Sequence, residues 1–392
     1  TESMVSERAK RVLSFLQADR GTMFRFLESL VRAESPSQIP DSQVGVQGLM
    51  ADELEDLGFR VRRIPGTKTG GHLFAVPRGR PRGVPVQLML GHSDTVWPLG
   101  TIESMPVTIR SGRMTGPGIY DMKAGLALMI CAVRALQECR LEPEVTPVVF
   151  INSDEEIGSH ESKAILTRLA KMANRVLVLE PPMGPDGRLK TVRKGVGQFT
   201  IRVRGKAAHA GLEPEEGASA ILELSRVVQK LFALNDADRG ITVNVGTIDG
   251  GIRPNVVAPE STAVADVRVM SMDQAREIEE TFHSLRAETP GTKIEVEGGV
   301  GTPPLEGTPR NRVLWEVARE AGRELGLELE ECLAGGGSDG NLTSLHAPTL
   351  DGLGAVGGGA HAAHEFIEMD RMIERGALVA LLLAAPPLDL GG

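Results

Sequence analysis

Residues 85–94 have the sequence Pro-Val-Gln-Leu-Met-Leu-Gly-His-Ser-Asp, in which a short apolar run leads directly into a histidine and an aspartate. Two further segments share this design: 145–156 ends in Ser-Asp-Glu-Glu, and 175–180 ends in a glutamate. Short apolar runs are typical of strands that are buried on both faces. Because helical patterns over Met122–Glu138 and Ser162–Lys171 separate them, the runs predict an α/β fold: a mostly parallel sheet with helices on both faces.

The polar residues that follow these predicted strands are expected to lie close together. In a parallel sheet the carboxyl ends of the strands share one edge, and ligands bind outside that edge. His92 and Asp94 follow the first strand, Glu155 and Glu156 follow the second, and Glu180 follows the third. Three strands therefore deliver imidazole and carboxylate groups to one place, which indicates a functional site.

The pattern changes near Arg193, where apolar and polar residues begin to alternate as in a sheet with one solvated face. The elements predicted beyond this point follow in the order strand, helix, strand, strand, helix, strand, which is the ferredoxin-like order. Two consecutive prolines end the block. We therefore predict a catalytic domain formed by residues 1–193 and 306–392, and an inserted α+β ferredoxin-like domain over 194–305.

Composition narrows the class of protein. The chain has 43 basic and 52 acidic residues, a net charge of −9, which argues against nucleic acid or an anionic membrane as the main partner. No apolar run approaches the ~18 residues that a membrane span needs.

Cys131 and Cys139 lie on one predicted helix, roughly 12 Å apart at ~1.5 Å per residue, too far for a disulfide. We expect a cytoplasmic protein, although a start at Thr1 leaves a removed signal peptide open.

The residue types at the strand ends indicate a metal site. Asp121 follows a Gly-Pro-Gly turn, and His361-Ala-Ala-His364-Glu follows a glycine-rich loop near the C-terminus. Gathered carboxylates cost free energy unless a cation compensates them, and no cluster of Lys or Arg accompanies these segments. Imidazole and carboxylate ligands without cysteine suit Zn²⁺, and less strictly Mn²⁺ or Co²⁺. Three ligating carboxylates and one hydroxide would balance two divalent ions.

Each segment taken alone has a simpler explanation. The histidine at 92 is compatible with a loop residue beside an Asx-turn. The acidic run Asp154-Glu155-Glu156 is compatible with a solvated helix N-terminus, where acids interact well with the helix dipole. Glu180 alone is compatible with a surface acid. Because all of them occur together at successive strand ends, we favour the metal site.

Five segments together resemble the zinc peptidase family of the aminoacylases, carboxypeptidase G (glutamate carboxypeptidase) and succinyl-diaminopimelate desuccinylase. The segments are Gly91–Thr95, Gly116–Gly125, Asp154–Gly158, Glu180–Pro181 and Gly205–Gly211. The resemblance covers nearly the whole chain and is strongest to the carboxypeptidase G type. It implies two zinc ions per chain, with the inserted domain acting as a lid and as the interface of a homodimer.

The resemblance also implies a set of metal ligands. Asp121 would bridge the two ions, with His92 and Glu180 completing one site, and Glu156 and a C-terminal histidine completing the other. The last ligand is either His361 or His364. Family members commonly carry it four residues before a glutamate, which favours His361 here, although carboxypeptidase G types have a slightly longer gap.

Catalytic roles follow from the same resemblance. Glu155 would be the general acid and base, and Asp94 would orient His92; a His-x-Asp spacing suits a carboxylate that fixes the imidazole tautomer. Adjacent side chains of an extended segment point in different directions, so Glu156 can bind metal while Glu155 faces the bound water. His209 resembles the family residue that donates to the oxyanion, in relatives from the partner subunit, although alone it would be an ordinary loop histidine.

Substrate contacts are also implied by family positions. Arg268 and Asn255 match residues that bind the substrate carboxylate or its acyl oxygen, and an arginine fork suits a free α-carboxylate. The alternative for Arg268 is an ion pair with an acid in the insert. The loop Gly335–Asp339, with Gly336 as the candidate contact, lacks the Lys-Ser/Thr of a phosphate-binding loop and suits backbone that approaches a substrate closely.

We therefore predict a co-catalytic di-zinc hydrolase that cleaves the amide bond of an N-acyl amino acid or a C-terminal residue. The alternatives are an N-acetyl or N-succinyl amino-acid deacylase or a dipeptidase of the same family, and a non-catalytic binding or dimerisation module of the same fold. A metal-free Ser or Cys hydrolase is disfavoured, because no Gly-x-Ser-x-Gly turn occurs and the three cysteines lie away from these segments.

Overall fold

The computed structural model describes residues 5–390 and divides them into two compact units. The first unit holds the described residues up to Thr191, together with Gly307–Leu333 and those from Ser338 onward. The second comprises Val192–Glu306 and Ala334–Gly337. The short loop Ala334–Gly337, which the sequence placed in the catalytic domain, thus groups with the inserted segment, because it packs with that unit in space rather than along the chain.

The helices and strands have the following bounds. The helices are α1 (Glu7–Ala18), α2 (Arg20–Arg32), α3 (Gln43–Asp56), α4 (Thr101–Ser104), α5 (Ala124–Glu138), α6 (Lys163–Met172), α7 (Ala220–Phe232), α8 (Met272–His283), α9 (Pro309–Glu324), α10 (Asp339–Thr343) and α11 (Met369–Leu383). The strands are β1 (Phe59–Ile64), β2 (His72–Pro77), β3 (Val86–His92), β4 (Thr108–Arg110), β5 (Arg113–Thr115), β6 (Thr146–Asn152), β7 (Ala173–Val178), β8 (Leu189–Arg193), β9 (Gly195–Arg204), β10 (Thr242–Gly250), β11 (Glu260–Val269), β12 (Lys293–Thr302), β13 (Glu331–Ala334), β14 (Thr349–Leu350), β15 (Gly357–Gly358) and β16 (Phe366–Glu368).

The central sheet of the first unit has the strand order β1-β2-β6-β3-β7-β14. The strands β6, β3, β7 and β14 are parallel, while β1 and β2 pair antiparallel at one edge. The three strands predicted from apolar runs are the neighbours β6, β3 and β7, and every residue of β3 and β6 is buried. The predicted mostly parallel sheet is therefore confirmed.

Apolar side chains cover both faces of this sheet. Met89 of β3 belongs to a core that also contains α5 and α11, whereas Leu88 of the same strand belongs to a second core that contains Leu166 of α6. This alternation is the period of a strand buried on both faces. The first helical stretch of the chain consists of two helices, α1 and α2, which meet at Asp19. Both bury an apolar face in the first core, so the apolar period continues across the break.

The second unit is a four-stranded antiparallel sheet with the order β10-β11-β9-β12 and with two helices, α7 and α8. This order, with the β-α-β-β-α-β sequence of elements, is the ferredoxin-like arrangement that the alternating strands predicted. Residues of β9 alternate between buried and more exposed positions, and Phe199, Ile201 and Val203 enter the core of this unit.

The topology of the first unit brings the predicted site residues to one edge. His92, the last residue of β3, pairs in register with Asn152, the last residue of β6, so the segments that follow both strands start side by side. Glu180 lies two residues beyond β7. A small sheet with the order β15-β16-β5-β4 joins the C-terminal segment to the chain just before Gly116. Within residues 5–390, no helix has the length and apolar character that a membrane span requires.

Candidate metal centre

Two groups of potential ligands lie at this edge and share one residue. In the first group, Nε2 of His92 is 3.3 Å from Oδ1 of Asp121 and 3.2 Å from Oε1 of Glu180. In the second, Nε2 of His361 is 3.4 Å from Oδ2 of Asp121 and 3.4 Å from Oε2 of Glu156. The ligand atoms of each group lie within 4.8 Å of one another. Asp121 thus offers one oxygen to each group.

Three buried atoms of these groups have no hydrogen-bond partner among the described residues: His92 Nε2, Asp121 Oδ1 and Glu156 Oε1. Buried polar atoms in proteins are nearly always hydrogen-bonded, so such a set needs an explanation. Carboxylate oxygens and an imidazole nitrogen are ligands that Zn²⁺, Mn²⁺ and Co²⁺ accept. The residues present therefore fit a divalent cation at each group.

The electrostatics of the cluster also favour a cation. Burial raises the pKa of Glu156 to about 8, with the neighbouring charge of Asp121 adding to the effect. A hydrogen bond to Asp121 raises the pKa of His361 to about 9, although burial opposes the shift. Burial also opposes ionisation of Asp121, but the neighbouring imidazoles of His361 and His92 lower the pKa of Asp121 nonetheless. Without a metal the cluster therefore retains protons, which a bound cation would displace.

The backbone of Asp94 sets the orientation of His92. Nδ1 of His92 lies 2.9 Å from the main-chain carbonyl oxygen of Asp94 and 3.4 Å from its carboxylate Oδ1. A carbonyl oxygen only accepts hydrogen bonds, so this contact keeps the proton on Nδ1 and leaves the lone pair of Nε2 for a metal. The sequence expected the carboxylate to hold the ring, whereas the shorter contact is to the main chain.

The carboxylate of Asp94 instead holds the segment that follows β6. It accepts hydrogen bonds from the backbone N–H of Glu156 at 3.1 Å and of Glu155 at 3.3 Å. The hydroxyl of Ser37 donates a further hydrogen bond at 2.6 Å. A buried aspartate thus fixes the position of the two adjacent glutamates.

Glu155 lies beside the ligand groups without belonging to either of them. Its Oε2 is 3.8 Å from Nε2 of His92. Burial raises the pKa of Glu155 well above its usual value, and the carboxylates of Glu180 and Asp339 raise it further, against the effect of His92. The sequence argument assumed an extended segment here, whereas Glu155–Ile157 forms a short 3-10 turn. The two glutamates nevertheless separate as expected: Glu156 joins a ligand group and Glu155 does not.

His361 and His364 differ in their surroundings. His361 belongs to the second ligand group, although 53% of its side chain remains exposed, and its backbone is left-handed with φ of 59°. His364 is exposed and belongs to neither group in the described part of the chain. Of the two histidines that the sequence left open, the structure brings only His361 to the shared aspartate.

Two buried carboxylates at the site were not identified as functional from the sequence. Glu365 accepts hydrogen bonds from the backbone of the segment around Asp121. In the sequence analysis, Glu365 served only as the reference position for choosing between His361 and His364. Asp339, at the start of α10, accepts hydrogen bonds from the Ser159 hydroxyl and, at 2.7 Å, from Nδ2 of Asn152. Burial raises the pKa of Asp339 to about 6. The only signal for Asp339 was its place after a glycine-rich loop, which pointed to the substrate instead.

The remaining predicted residues lie in the second unit. Arg268 forms a two-pronged ion pair with Asp266, at 2.8 and 3.0 Å, which is the alternative that the sequence left open. The main-chain oxygen of Gly336 accepts a hydrogen bond from Nε of Arg193 at 2.9 Å. The main-chain oxygen of Asn255 accepts one from Ala210. His209 is exposed, and its Nδ1 accepts from the backbone N–H of Gly211 at 3.2 Å.

Two ligand groups that share one carboxylate thus lie at the carboxyl edge of an α/β sheet, where ligands bind in such folds. The profile of Peptidase family M20/M25/M40 matches residues 88–385. The chain therefore belongs to the M20/M25/M40 peptidase family, and the family predicted from the sequence is confirmed.

Relatives cover nearly the full length of the chain. Carboxypeptidase G2 of Pseudomonas sp. (strain RS-16) is 28% identical over 383 residues, which are 95% of this chain and 90% of that protein. Succinyl-diaminopimelate desuccinylase of Aromatoleum aromaticum is 27% identical over 394 residues, 95% of this chain and 99% of that protein. The crystal structure of aminopeptidase PepT from Bacillus cereus superposes with a TM-score of 0.78 at 25% identity, covering 93% of this chain and 98% of that one. The protein is thus a metal-dependent hydrolase of the peptidase or deacylase type.

Proposed function

We propose that this protein is a co-catalytic di-zinc hydrolase that releases a C-terminal residue or cleaves an N-acyl amino acid, as a glutamate carboxypeptidase does. The observation that carries the proposal is the position of Asp121, whose two oxygens lie 3.3 and 3.4 Å from the histidines of two separate ligand groups. A carboxylate shared in this way suits two ions held side by side. Similarity to Carboxypeptidase G2 over 95% of the chain supports this substrate class.

The ligands of the two ions are assigned from the two groups. His92 and Glu180 would hold one ion, Glu156 and His361 the other, and Asp121 both. When bound, such ions supply Lewis acidity towards a carbonyl oxygen and make water more acidic, lowering its pKa towards ~7. Zn²⁺ is the proposed metal, with Mn²⁺ or Co²⁺ as substitutes.

Glu155 is the proposed general base and acid. It lies beside the ligands, and its raised pKa suits a group that takes a proton from the attacking water and passes it to the leaving nitrogen. The Asp94 carboxylate, by accepting the backbone N–H of Glu155 and of Glu156, keeps this carboxyl beside the ligand groups. Positioning of this kind contributes to rate because the reacting groups need no rearrangement.

The roles in the second unit are proposed from the resemblance to the family. His209 would donate a hydrogen bond to the developing oxyanion, from the partner subunit of a homodimer formed through the insert. Asn255, Gly336 and Arg268 would contact the substrate. For Arg268 this role requires the substrate carboxylate to compete with, or add to, the ion pair with Asp266.

A deacylase is the second candidate function. Succinyl-diaminopimelate desuccinylase of Aromatoleum aromaticum is similar over 95% of the chain, and nothing in the ligand groups separates a deacylase or a dipeptidase from a carboxypeptidase. The difference would lie in the contacts with the acyl group and with the released amino acid.

A hydrolysis panel tests the proposal. Folate-type, N-carbobenzoxy, N-acetyl and N-succinyl amino acids and dipeptides are assayed with fresh protein, after chelation, and after Zn²⁺ is restored. The carboxypeptidase proposal expects folate-type or N-carbobenzoxy substrates to be at least ~tenfold better in kcat/KM than N-acetyl or N-succinyl ones, a difference of ~1.4 kcal/mol. The reverse order would establish the deacylase instead.

The catalytic assignment has its own measurement in the same assay. Glu155→Gln is expected to lower kcat by ~10²–10⁴-fold, the usual effect of losing a general acid–base group. Elemental analysis should still find two zinc ions per chain in this variant. Full turnover by Glu155→Gln, or by protein stripped of metal, would refute the proposed chemistry.

A further inference from the structure

Basic residues are concentrated in one segment of the first unit. Between Gly58 and His92 there are seven basic side chains and no acidic one, in a chain whose net charge is −9. The seven are Arg60, Arg62, Arg63, Lys68, Arg78, Arg80 and Arg82. A positively charged segment on a chain of net negative charge raises the question of what these side chains bind.

Four of these arginines surround one cavity. A cavity of about 650 Å³ has Arg60, Arg78, Arg80 and Arg82 in its wall, together with apolar residues that include Phe74 and Met172. No acidic residue lines it. Met172 is 60% exposed, so the apolar part of the cavity is open to a ligand rather than closed by packing.

Strand pairing and a short loop place these side chains together. Arg60 of β1 pairs with Val76 of β2, and the loop that follows β2 continues as Pro-Arg-Gly-Arg-Pro-Arg-Gly over residues 77–83. Gly79 and Gly83 have φ values of 74° and 80°, a region that favours glycine, while the two prolines restrict the loop further. The loop therefore turns back and presents its arginines around the cavity.

The four guanidinium groups have no acidic partner in the described part of the chain, and Arg80 donates one hydrogen bond, to the main-chain oxygen of Val84 at 3.2 Å. The basic residues that line the cavity, with no carboxylate among its lining residues, give it a positive potential that favours an anion. Guanidinium groups bind phosphate with two parallel hydrogen bonds each, which makes arginine well suited to phosphate recognition.

The cavity is separate from the metal centre. In the register of β2 with β6, Leu73 pairs with Ile151 and Ala75 with Val149, so the end of β2 lies beside the start of β6. The metal centre lies beyond the other end of β6. The two sites are thus at opposite edges of the central sheet, and this inference does not depend on the proposed hydrolase function.

We propose that this arginine-walled cavity binds an organic polyphosphate with an aromatic or apolar body, the chemistry of a nucleoside triphosphate. The phosphates would lie among Arg78, Arg80 and Arg82, and the apolar body against Phe74 and Met172. The volume is in the range of small-molecule sites, ~300–1,000 Å³. A long polyanion is disfavoured, because it would extend over the net acidic surface of the rest of the protein.

Calorimetric titration of the full-length protein tests the proposal with ATP, adenosine, tripolyphosphate and a tetraglutamate peptide at low salt. ATP is expected to bind with Kd below ~1 mM, and each of the other three at least ~tenfold more weakly, a loss of ~1.4 kcal/mol. R80A/R82A should weaken ATP binding at least ~tenfold. M172S should weaken binding of ATP but leave binding of tripolyphosphate unchanged.

The matched control is R62A/R63A, which removes the same charge from exposed positions of β1 that do not line the cavity. It should change ATP affinity by less than ~twofold. Equal weakening by both double variants would show unspecific attraction and overturn the proposal. Unchanged binding in R80A/R82A would do the same, since it would place the nucleotide elsewhere, for instance at the metal centre. Equal affinity for tripolyphosphate or tetraglutamate, or no binding of ATP, would also overturn it.

Discussion

The carboxylate of Glu365 accepts a hydrogen bond from the backbone N–H of Asp121 at 3.0 Å. The same carboxylate accepts from the backbone of Tyr120 and of Gly118, each at 2.9 Å, and from the indole of Trp97 at 2.8 Å. Glu365 also ends the loop that carries His361. One buried side chain therefore ties the backbone of Asp121, the proposed shared ligand, to the loop that carries His361.

Replacing Glu365 by Gln should weaken metal binding. The amide would turn an N–H donor towards backbone or indole N–H groups, so at least one oxygen that accepts two hydrogen bonds would be lost. Loss of such supporting groups typically lowers metal affinity or activity by ~10–100-fold. We expect elemental analysis to find fewer than two zinc ions per chain, and kcat/KM to fall by a similar factor.

Glu368→Gln is the control for that substitution. Glu368 lies three residues further along and pairs with Arg113 at 2.8 Å, where both side chains are partly exposed. Exposed ion pairs contribute little, so zinc content and kcat should stay within ~twofold of the wild type. If Glu365→Gln behaved like Glu368→Gln, the supporting role of Glu365 would be wrong.

Substituting His361 and His364 one at a time distinguishes the proposed metal ligand from the histidine that only lies near it. His361→Ala removes the imidazole that lies 3.4 Å from both Asp121 and Glu156, so one zinc ion per chain should be lost and kcat should fall at least ~100-fold. His364→Ala should retain both ions and lose less than ~threefold in kcat, because this side chain is exposed. Metal analysis and steady-state kinetics on both variants decide; retention of both ions in His361→Ala would contradict the ligand assignment.

Asp94→Asn should affect the rate more than the metal. The main-chain carbonyl that holds His92 is unchanged, but one oxygen of the side chain becomes an N–H donor facing the backbone N–H of Glu155 or of Glu156. We expect kcat to fall by ~10–100-fold while KM and zinc content change by less than ~twofold.

Ser37→Ala is the matched control for Asp94→Asn. It removes only the hydroxyl that donates to the Asp94 carboxylate at 2.6 Å, and it leaves both backbone hydrogen bonds in place. Its kcat should stay within ~threefold of the wild type, since the two backbone hydrogen bonds that position Glu155 and Glu156 remain. Loss of zinc in Asp94→Asn would show that the carboxylate supports His92 rather than the glutamates.

Acid stability should depend on Glu161. Burial raises the pKa of Glu161, but hydrogen bonds from Thr67, Thr69 and the intervening backbone outweigh it and lower the pKa from 4.5 to about 2. Because the pKa is lower in the folded protein, the carboxylate stabilises it above pH 4.5, and this contribution is lost as the pH falls towards 2. Glu161→Gln should lower Tm at pH 7 and make the loss of Tm between pH 4.5 and 2 smaller.

The exposed Glu328 offers the comparison for Glu161. Glu328→Gln should leave Tm within ~1 °C of the wild type over the same pH range, because surface substitutions away from such contacts have small effects. Thermal unfolding followed by circular dichroism gives both curves. Parallel curves for Glu161→Gln and the wild type would exclude a stabilising carboxylate at this position.

The sequence by itself determined the central strands and the residues at their ends. The apolar runs before His92, Asp154 and Glu180 could be assigned as strands, because a strand buried on both faces needs a continuous stretch of apolar residues. Strand ends in a parallel sheet meet by topology, so a metal site at this edge could be predicted from the residue types. The ferredoxin-like order of the insert could likewise be predicted from local patterns of apolar and polar residues.

The tertiary structure decided which side chains form hydrogen bonds and ion pairs across large sequence distances. Glu365 and Asp121 are 244 residues apart, and Asp339 and Asn152 are 187 apart, so no local period connects them. Only packing shows that His361 rather than His364 approaches Asp121, and that Arg268 is paired with Asp266. The physical reason is that a hydrogen bond depends on distance and direction in space, whereas local patterns record only burial and backbone conformation.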